Sequence, residues 1–214
     1  MLFILVGLSL LSYLLGSIPT AIWYGDRYHG IDIRQHGSGN AGATNTFRVL
    51  GKKAGSIVLF VDALKGFAAA SLASLLYAFG LVDWQTCVTL KILFGFLAII
   101  GHLLPVFCDF KGGKGVATTL GMVIALHPQA ALVSSLVFLL VFAISHYVSL
   151  GSMVTSIVFP LLLQFGVFGK ELPILIYFGF IISFLVIFTH RKNISRIISG
   201  TESRMYLIPR KGRL

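Results

Sequence analysis

The sequence has little charge and few cysteines for its length. Only 11% of its 214 residues are charged, whereas soluble globular domains carry about 25%. Apolar residues make up 57% of the chain and form long uninterrupted runs. This composition excludes a soluble domain and predicts an integral membrane protein.

Metal and disulfide chemistry have no support in the sequence. The two cysteines, Cys87 and Cys108, stand alone without CxxC or Cys/His spacing, which argues against a zinc site and a disulfide framework. Clustered aspartates are also missing, and a lipid phosphotransferase that uses a divalent cation would need them. We therefore predict no metal and no cofactor.

The formal net charge of +10 comes from basic residues between apolar runs and in a short tail. No soluble segment is large enough to hold a duplex, so we predict that nucleic acid is not a partner. Anionic membrane phospholipid or an anionic substrate is the expected partner.

The apolar runs predict seven membrane-spanning helices in one domain, residues 1–214. The run over 116–145 would form a single helix roughly 45 Å long, against a hydrocarbon core of about 30 Å. We divide it at His127-Pro128, because proline ends a helix at or before the preceding residue. The predicted spans lie near 2–24, 54–80, 87–107, 115–126, 129–146, 149–168 and 172–189.

Basic residues predict the orientation of these spans. With seven spans and the N-terminus outside, the loops at 25–53 and 108–114 and the tail all face the cytoplasm, as the positive-inside rule requires. A six-span alternative would place the basic tail outside. The predicted fold class is therefore an all-α seven-helix transmembrane bundle with a cytoplasmic C-terminus. The tail charges are Arg191, Lys192, Arg196, Arg204, Arg210, Lys211 and Arg213.

The least membrane-like stretch within the apolar part of the chain is GSGNAGATNTFR at 37–48. Its glycines let the backbone approach a ligand closely, and its neutral donors precede one fixed cation. This combination predicts a phosphate-binding loop. The candidate residues are Ser38, Gly39, Asn40, Thr44, Asn45 and Arg48.

A second stretch, KGGKGVAT at 111–118, combines flexible backbone with Lys111 and Lys114 immediately before an apolar helix. Helix-start amides, the helix dipole and the Lys114 ammonium would all attract one anion. We expect the two glycine-rich loops to meet. Neither is a nucleotide motif, because the GxGxxG match lacks a βαβ context and KGGKGVAT lacks P-loop spacing.

Three polar residues fall inside predicted spans. Asp62 and Lys65 lie three residues apart on one helical face. Ionisable residues within a span are often functional, and we favour a structural ion pair within the bundle over that alternative. His102, near Pro105, is compatible both with a hydrogen-bonding role at a helix end and with substrate contact.

Six motifs resemble those of a known family in the same order along the chain. The family is the bacterial acyl-phosphate-dependent glycerol-3-phosphate acyltransferases, called PlsY, and the resemblance extends from about Leu15 to Glu202. The motifs are GSGNAGATN with Arg48, Asp62 with Lys65-Gly66, His102-x-x-Pro105, KGGKGVAT, Ser149 to Ser152, and His190-Arg-x-Asn193 with Glu202.

This resemblance implies a seven-helix fold and a specific reaction. The enzyme would transfer a fatty acyl group from acyl phosphate to the sn-1 hydroxyl of glycerol 3-phosphate, giving lysophosphatidic acid and inorganic phosphate. Coenzyme A and acyl carrier protein would not take part. The resemblance also implies the bacterial inner membrane, a cytoplasmic-side active site, and the acyl-phosphate-producing enzyme as a partner.

The resemblance further implies which residues form the site. It makes Lys114, His190 and Asn193 catalytic. The general base is left open between His190 and a phosphate oxygen of the substrate, and we favour the substrate, with His190 as an orienting group. The substrate-binding residues would be Ser38, Gly39, Asn40, Thr44, Asn45, Arg48, Lys111, Ser152 and Glu202.

Two features of the sequence distinguish this family from other functions that the same residues could serve. No histidine has an aspartate five residues later, so the chain differs from coenzyme A-dependent glycerolipid acyltransferases. A transporter of a phosphorylated solute is the rival function, and it would use the same loops. Transporters usually contain an internal repeat with a midplane site, and no second GSGNAGATN-like block occurs in this chain.

Overall fold

The computed structural model describes residues 1–206, and every regular element in this part of the chain is helical. The chain divides into two compact units, one ending at Pro128 and the other beginning at Gln129. Arg210, Lys211 and Arg213 of the predicted basic tail lie outside the described residues. The α-helices are α1 (Leu2–Ser17), α2 (Thr20–His29), α3 (Ala43–Ala78), α4 (Trp84–Leu103), α5 (Val116–Leu126), α6 (Pro128–Ser145), α7 (Val148–Gln164), α8 (Pro173–Thr189) and α9 (Arg191–Ile198).

The helices have the length and composition of a membrane protein. Among the described residues, the segments Ala43–Ala78, Trp84–Cys108 and Pro128–Ser145 are long and apolar enough to cross a bilayer. The number rises to five if each of two bent pairs, α1 with α2 and α8 with α9, forms one span. The shorter helices α5 and α7 are also apolar. A helix thus covers most of every predicted span, while the number of crossings, the orientation and the single domain remain predictions.

Proline marks the boundary between two helices near the middle of the chain. The predicted division at His127-Pro128 is confirmed, since α5 ends at Leu126 and α6 starts with Pro128. Proline is tolerated there because its missing N–H would lack an intrahelical partner in any case.

Two predicted segments differ from the helices in the structure. The span at 2–24 is interrupted at Ile18-Pro19, where the helix axes bend by 43°. The polar loop at 25–53 is also shorter than predicted, because α2 continues to His29 and α3 starts at Ala43. Polarity signalled a loop here, yet polar residues are compatible with helices exposed to water. Within α3, Gly51 has φ 86° and ψ −175°, so residues 43–50 form a separate helical segment.

The first unit is packed through glycines that let helix backbones touch. A Cβ built on Gly121 of α5 would overlap the carbonyl oxygen of Ala63 in α3. A Cβ on Gly66 of α3 would likewise overlap the carbonyl oxygen of Thr118 in α5. Small residues drive close helix association in apolar surroundings, where the hydrophobic effect contributes little. This crossing fixes the start of α5 against α3.

Gly121→Ala tests the α3–α5 crossing. The added methyl group forces the helices apart, and overpacking of this kind costs about 1–3 kcal/mol. We expect a lower temperature of half-unfolding in detergent. Gly7→Ala in α1 is the control, because no atom lies within 4 Å of a Cβ at that position. Equal temperatures of half-unfolding for the two variants would contradict close packing of α3 and α5 at Gly121.

The second unit contains α7 and α8 as its packed pair. Gly179 of α8 lies against Pro160 of α7, with a Cβ built on the glycine 2.9 Å from the proline Cβ. Ser183 of α8 donates a hydrogen bond to the Ser156 carbonyl oxygen of α7. The axis then bends by 58° between α8 and α9. This bend positions His190 between the two helices.

Candidate functional site

Asn45 organises the first glycine-rich loop. Its Oδ1 accepts hydrogen bonds from the Ser38 N–H at 2.8 Å and the Ser38 hydroxyl at 3.2 Å. Its Nδ2 donates to the carbonyl oxygens of Ile33 at 3.1 Å and His36 at 3.0 Å. The buried amide therefore uses both its donors and both its acceptor sites inside the loop. Asn45 positions the loop in this structure, and substrate contact is not assigned to it.

Two glycines of the loop are required by its backbone. Gly37 and Gly39 have φ values of 61° and 72°, in the left-handed region. A Cβ on Gly37 would also overlap the Asn45 Oδ1. Beneath the loop, Ile33 and Ala41 are buried in a cluster with residues of α2 and α3. The loop is thus a fixed element of the first unit.

Asn45→Asp tests this loop. A carboxylate oxygen would replace the amide donor and face two carbonyl oxygens, and each lost buried hydrogen bond costs about 1–3 kcal/mol. We expect faster hydrogen exchange over residues 33–42 and about tenfold lower activity. Gln35→Glu is the matched control, since it makes the same chemical change on an exposed side chain. Unchanged exchange in Asn45→Asp would contradict this role.

Asp32 and Arg34 form a local pair beside the loop. The Arg34 guanidinium binds the Asp32 carboxylate through Nε and Nη2, with the shortest distance 2.7 Å. These hydrogen bonds lower the pKa of Asp32 below its ordinary value, and the Arg34 charge adds to the effect. Because this guanidinium is already bound to a carboxylate, Arg48 is the better arginine for a phosphate.

The other predicted residues of the first motif are more accessible. Thr44 and Arg48 lie four residues apart on one face of the segment 43–50, and Arg48 is exposed. Arg48 makes no ion pair within residues 1–206. Ser38 and Gly39 are exposed, and the Asn40 side chain lies beside Gly42, which precedes the first turn of α3. The segment that leads into α3 therefore combines exposed loop residues with an exposed guanidinium, while the Ser38 donors and the Gly39 N–H are bonded within the loop.

The second loop folds back onto the end of α4. Gly113 and Gly112 donate their N–H groups to the carbonyl oxygens of His102 and Leu103, each at 3.2 Å. Asp109 and Phe110, just before the loop, adopt φ values of 53° and 56°, which are uncommon without glycine. Gly115, with φ 78°, then leads into α5.

The two loops meet, as predicted. Gly113 lies between the His102 ring and the first loop, where a Cβ built on it would stand 2.9 Å from the Ala41 carbonyl oxygen. Lys114 follows Gly113 directly and is partly buried immediately before α5, whereas Lys111 is exposed. The junction brings the Lys114 segment and the start of α3 to the same region of the first unit.

In the second unit, Glu202 joins three side chains. Its Oε1 accepts hydrogen bonds from the Ser149 hydroxyl of α7 at 2.7 Å and the Asn193 amide of α9 at 2.6 Å. Its Oε2 accepts one from the Arg196 guanidinium at 2.9 Å. The carboxylate is therefore bound on both oxygens. Glu202 positions Asn193 in this structure, and substrate contact is not assigned to it.

The surroundings of Glu202 stabilise its charged form. Burial raises the pKa of this carboxyl, but the hydrogen bonds from Asn193 and Ser149 and the charge of Arg196 lower it by more. Its net pKa lies below the ordinary value.

His190 lies at the bend between α8 and α9. Its Nδ1–H donates to the Val186 carbonyl oxygen at 2.8 Å. A carbonyl only accepts, so the neutral ring carries its proton on Nδ1 and has an acceptor nitrogen at Nε2. The His190 carbonyl oxygen in turn accepts the Asn193 N–H at 2.8 Å. His190 and Asn193 are thus held in one turn, at a bend rather than within one continuous helix.

Sequence reasoning missed two residues of this group. The sequence pattern includes Ser149 only within a motif and Arg196 only among the tail charges, yet both bind Glu202. Ser149 lies 53 residues from Glu202, so its sequence position gives no signal. Arg196 lies six residues from Glu202, which is not the three- or four-residue spacing of a helical pair. Ser152, which was predicted, is buried on the same helix as Ser149 and donates to the Val148 carbonyl oxygen at 2.9 Å.

The site offers donors and cations rather than metal ligands. Among the described residues, no group of three or more histidine, cysteine, aspartate or glutamate side chains could hold a metal ion. The apolar helices and the loops of amides, hydroxyls and cations define the class: an integral membrane protein suited to an anionic small molecule.

Comparison with known proteins identifies the family within that class. The glycerol-3-phosphate acyltransferase family matches residues 6–200. Glycerol-3-phosphate acyltransferase of Salinibacter ruber is 42% identical over 207 residues, covering 92% of this chain and 90% of the relative. That of Chlorobaculum parvum is 43% identical over 216 residues, covering 91% and 93%. The chain belongs to the glycerol-3-phosphate acyltransferase family of the PlsY type.

Solved structures agree with this assignment. Crystal structures of PlsY, an integral membrane glycerol 3-phosphate acyltransferase, superpose on the chain in two forms. The glycerol 3-phosphate form has a TM-score of 0.81 and 41% identity, covering 94% of this chain and 96% of its own. The lysophosphatidic acid form has a TM-score of 0.79 and 42% identity, covering 94% and 95%. The predicted resemblance is confirmed, and it favours the enzyme over the transporter.

Proposed function

We propose that this protein transfers a fatty acyl group from acyl phosphate to the sn-1 hydroxyl of glycerol 3-phosphate. The hydroxyl oxygen bonds to the acyl carbonyl carbon, and the bond from that carbon to the phosphate oxygen breaks. The products are lysophosphatidic acid and inorganic phosphate, and the hydroxyl proton leaves with the phosphate. Homologous PlsY structures with glycerol 3-phosphate and lysophosphatidic acid support this substrate and product.

The observation that carries the proposal is the junction of the two glycine-rich loops at Gly113. An acyl phosphate already contains a good leaving group, so the enzyme mainly has to position two anions and stabilise developing negative charge. Loop amides and cations do both. The scarcity of carboxylates is no obstacle to such a reaction.

The predicted site residues divide into two groups by their chemistry. In the first unit we assign Arg48 and Lys114 to phosphate groups, with Lys111 as an outer cation. Ser38, Gly39, Asn40 and Thr44 complete the phosphate contacts, which requires the Ser38 hydroxyl to exchange its bond to Asn45, and the Gly39 N–H its bond to His36, for bonds to phosphate. In the second unit we assign His190, Asn193 and Ser152 to orienting the reacting substrate.

The hydroxyl proton has two possible acceptors. The Nε2 of His190 is an acceptor in the tautomer described above, and a phosphate oxygen of the substrate is the other. We favour the phosphate oxygen, because the buried His190 ring is fixed by its bond to Val186. His190 then orients the substrate.

The reaction can be tested with purified protein in detergent. Palmitoyl phosphate is supplied with and without glycerol 3-phosphate, in the presence of EDTA, and released phosphate and lysophosphatidic acid are measured. Formation of both products only with glycerol 3-phosphate supports the proposal. Turnover with palmitoyl-coenzyme A but not with palmitoyl phosphate would overturn the proposed donor.

We also propose seven crossings in the bacterial inner membrane, with the N-terminus outside and both glycine-rich loops in the cytoplasm. The basic loops and tail support this orientation. Single cysteines placed at exposed Lys53 and Lys170 in a protein lacking Cys87 and Cys108 test it in intact cells. An impermeant thiol reagent should label position 170 only. Labelling of position 53 alone would show that the orientation is the reverse of the one proposed.

The proposed donor also implies a physical partner, the enzyme that produces acyl phosphate. Because the donor is amphipathic and hydrolysable, its direct transfer within the membrane would limit its loss to water. Co-purification from cross-linked membranes tests this contact, and the absence of a cross-linked acyl-phosphate-producing enzyme would count against it.

A further inference from the structure

An ionic cluster is buried beneath the junction of the two loops. The Lys65 ammonium lies 2.9 Å from the Asp62 carboxylate, and their side chains are only 3% and 2% exposed. The Asp62 Oδ1 also accepts the Thr20 hydroxyl at 3.0 Å, and Lys65 donates to the Ile18 carbonyl oxygen at 2.9 Å. The predicted ion pair is thus confirmed, and it ties the break between α1 and α2 to the middle of α3.

His102 connects this ion pair to the second loop. Its Nδ1 lies 3.7 Å from the Asp62 Oδ1, so the ring packs against the carboxylate at a distance just beyond a hydrogen bond. The opposite side of the ring contacts the loop, where a Cβ on Gly113 would overlap the His102 Nε2. The histidine ring therefore fills the space between the buried carboxylate and the loop backbone.

The position of the His102 ring affects both loops, because Gly113 contacts the ring and the first loop. Gly113 is hydrogen-bonded to the His102 carbonyl oxygen and packs against the Ala41 carbonyl of the first loop. Displacement of the ring would move Gly113, and with it the Lys114 segment that follows. Buried charges in an apolar helix bundle are costly and usually serve function. A purely structural bridge between α3 and α4 would not require the ring to touch this loop.

We propose that His102, packed between the Asp62–Lys65 pair and Gly113, is a positioning residue that fixes the junction of the two glycine-rich loops and sets the affinity for the phosphate substrate. This inference builds on the proposed function, because it assigns the loops to glycerol 3-phosphate. His102 acts through Gly113 and does not touch substrate.

Kinetics separate positioning from general stability. His102→Phe keeps a ring but removes its polar nitrogens, and we expect the KM for glycerol 3-phosphate to rise about tenfold with kcat changed less than about threefold. His102→Gln extends an amide from the Asp62 side toward the position of the ring nitrogen that contacts Gly113, and it should recover most of the affinity. Lys91→Met is the matched control on α4, because Lys91 donates to the Ala125 carbonyl oxygen near the end of α5. It should lower thermal stability without changing KM.

Hydrogen exchange provides a readout that does not depend on turnover. His102→Phe should accelerate exchange of the Gly112 and Gly113 amides, while Lys91→Met and His102→Gln should leave them close to wild type. If both His102 variants match Lys91→Met in KM and in exchange over 109–118, the inference is overturned. A wild-type protein without acyl transfer would refute the proposed function instead, and the exchange data would still decide the positioning role.

Discussion

Replacing Lys114 by alanine is expected to lower kcat/KM about 10²–10³-fold, the usual effect of removing one group that stabilises developing charge. Lys114 follows the Gly113 junction directly and precedes the N-terminus of α5. Its ammonium and the helix-start amides would act on the same phosphate. Alanine removes the ammonium and leaves only the amides to stabilise the phosphate charge. The measurement is product formation at varied glycerol 3-phosphate and palmitoyl phosphate.

Two variants serve as controls for Lys114→Ala. Lys53→Ala removes an equal charge from an exposed position on α3 and should retain activity within about twofold. Lys114→Arg keeps the charge but changes its geometry, and we expect intermediate activity. Comparable losses in Lys114→Ala and Lys53→Ala would mean that general surface charge, rather than a specific contact, supports turnover.

Glu202→Ala is expected to impair both activity and stability in the second unit. The variant removes the acceptor of the Asn193 amide, the Ser149 hydroxyl and the Arg196 guanidinium. Hydrogen bonds to charged groups contribute about 1.5–3 kcal/mol each, so a loss of about 3 kcal/mol in stability is expected after relaxation. Activity should fall about 100-fold, because Asn193 loses the contact that orients it.

Ser203→Ala is the control for Glu202→Ala, since Ser203 is the adjacent exposed residue. It should match the wild type in thermal unfolding and in kcat/KM. A Glu202→Ala protein with normal stability and activity would show that the carboxylate does not hold Asn193 in the working enzyme.

The Glu202 carboxylate also makes stability depend on pH. Its folded-state pKa lies below the ordinary value of 4.5, which the unfolded chain retains. The stabilisation is therefore fully present above pH 4.5 and is lost as pH falls through the lower folded pKa. Glu202→Gln should flatten this acidic part of the stability curve. An unchanged slope would contradict the lowered pKa.

Local patterns were enough to predict much of the first unit. Proline at 128 marked the break between α5 and α6, and the three-residue spacing of Asp62 and Lys65 marked their ion pair. Both depend on short-range geometry, namely the missing proline N–H and the helical repeat. The predicted meeting of the two loops followed from their shared chemistry and orientation.

The sequence by itself therefore determined the membrane class, most helices and the family, because apolar runs, helix-breaking residues and motif order are all local properties. The tertiary structure alone decided which polar groups hold others in place. Asn45 holds its loop, Glu202 binds Ser149 and Asn193, and His102 contacts Gly113. These roles depend on hydrogen bonds and contacts between distant parts of the chain, and such geometry exists only after the helices have packed.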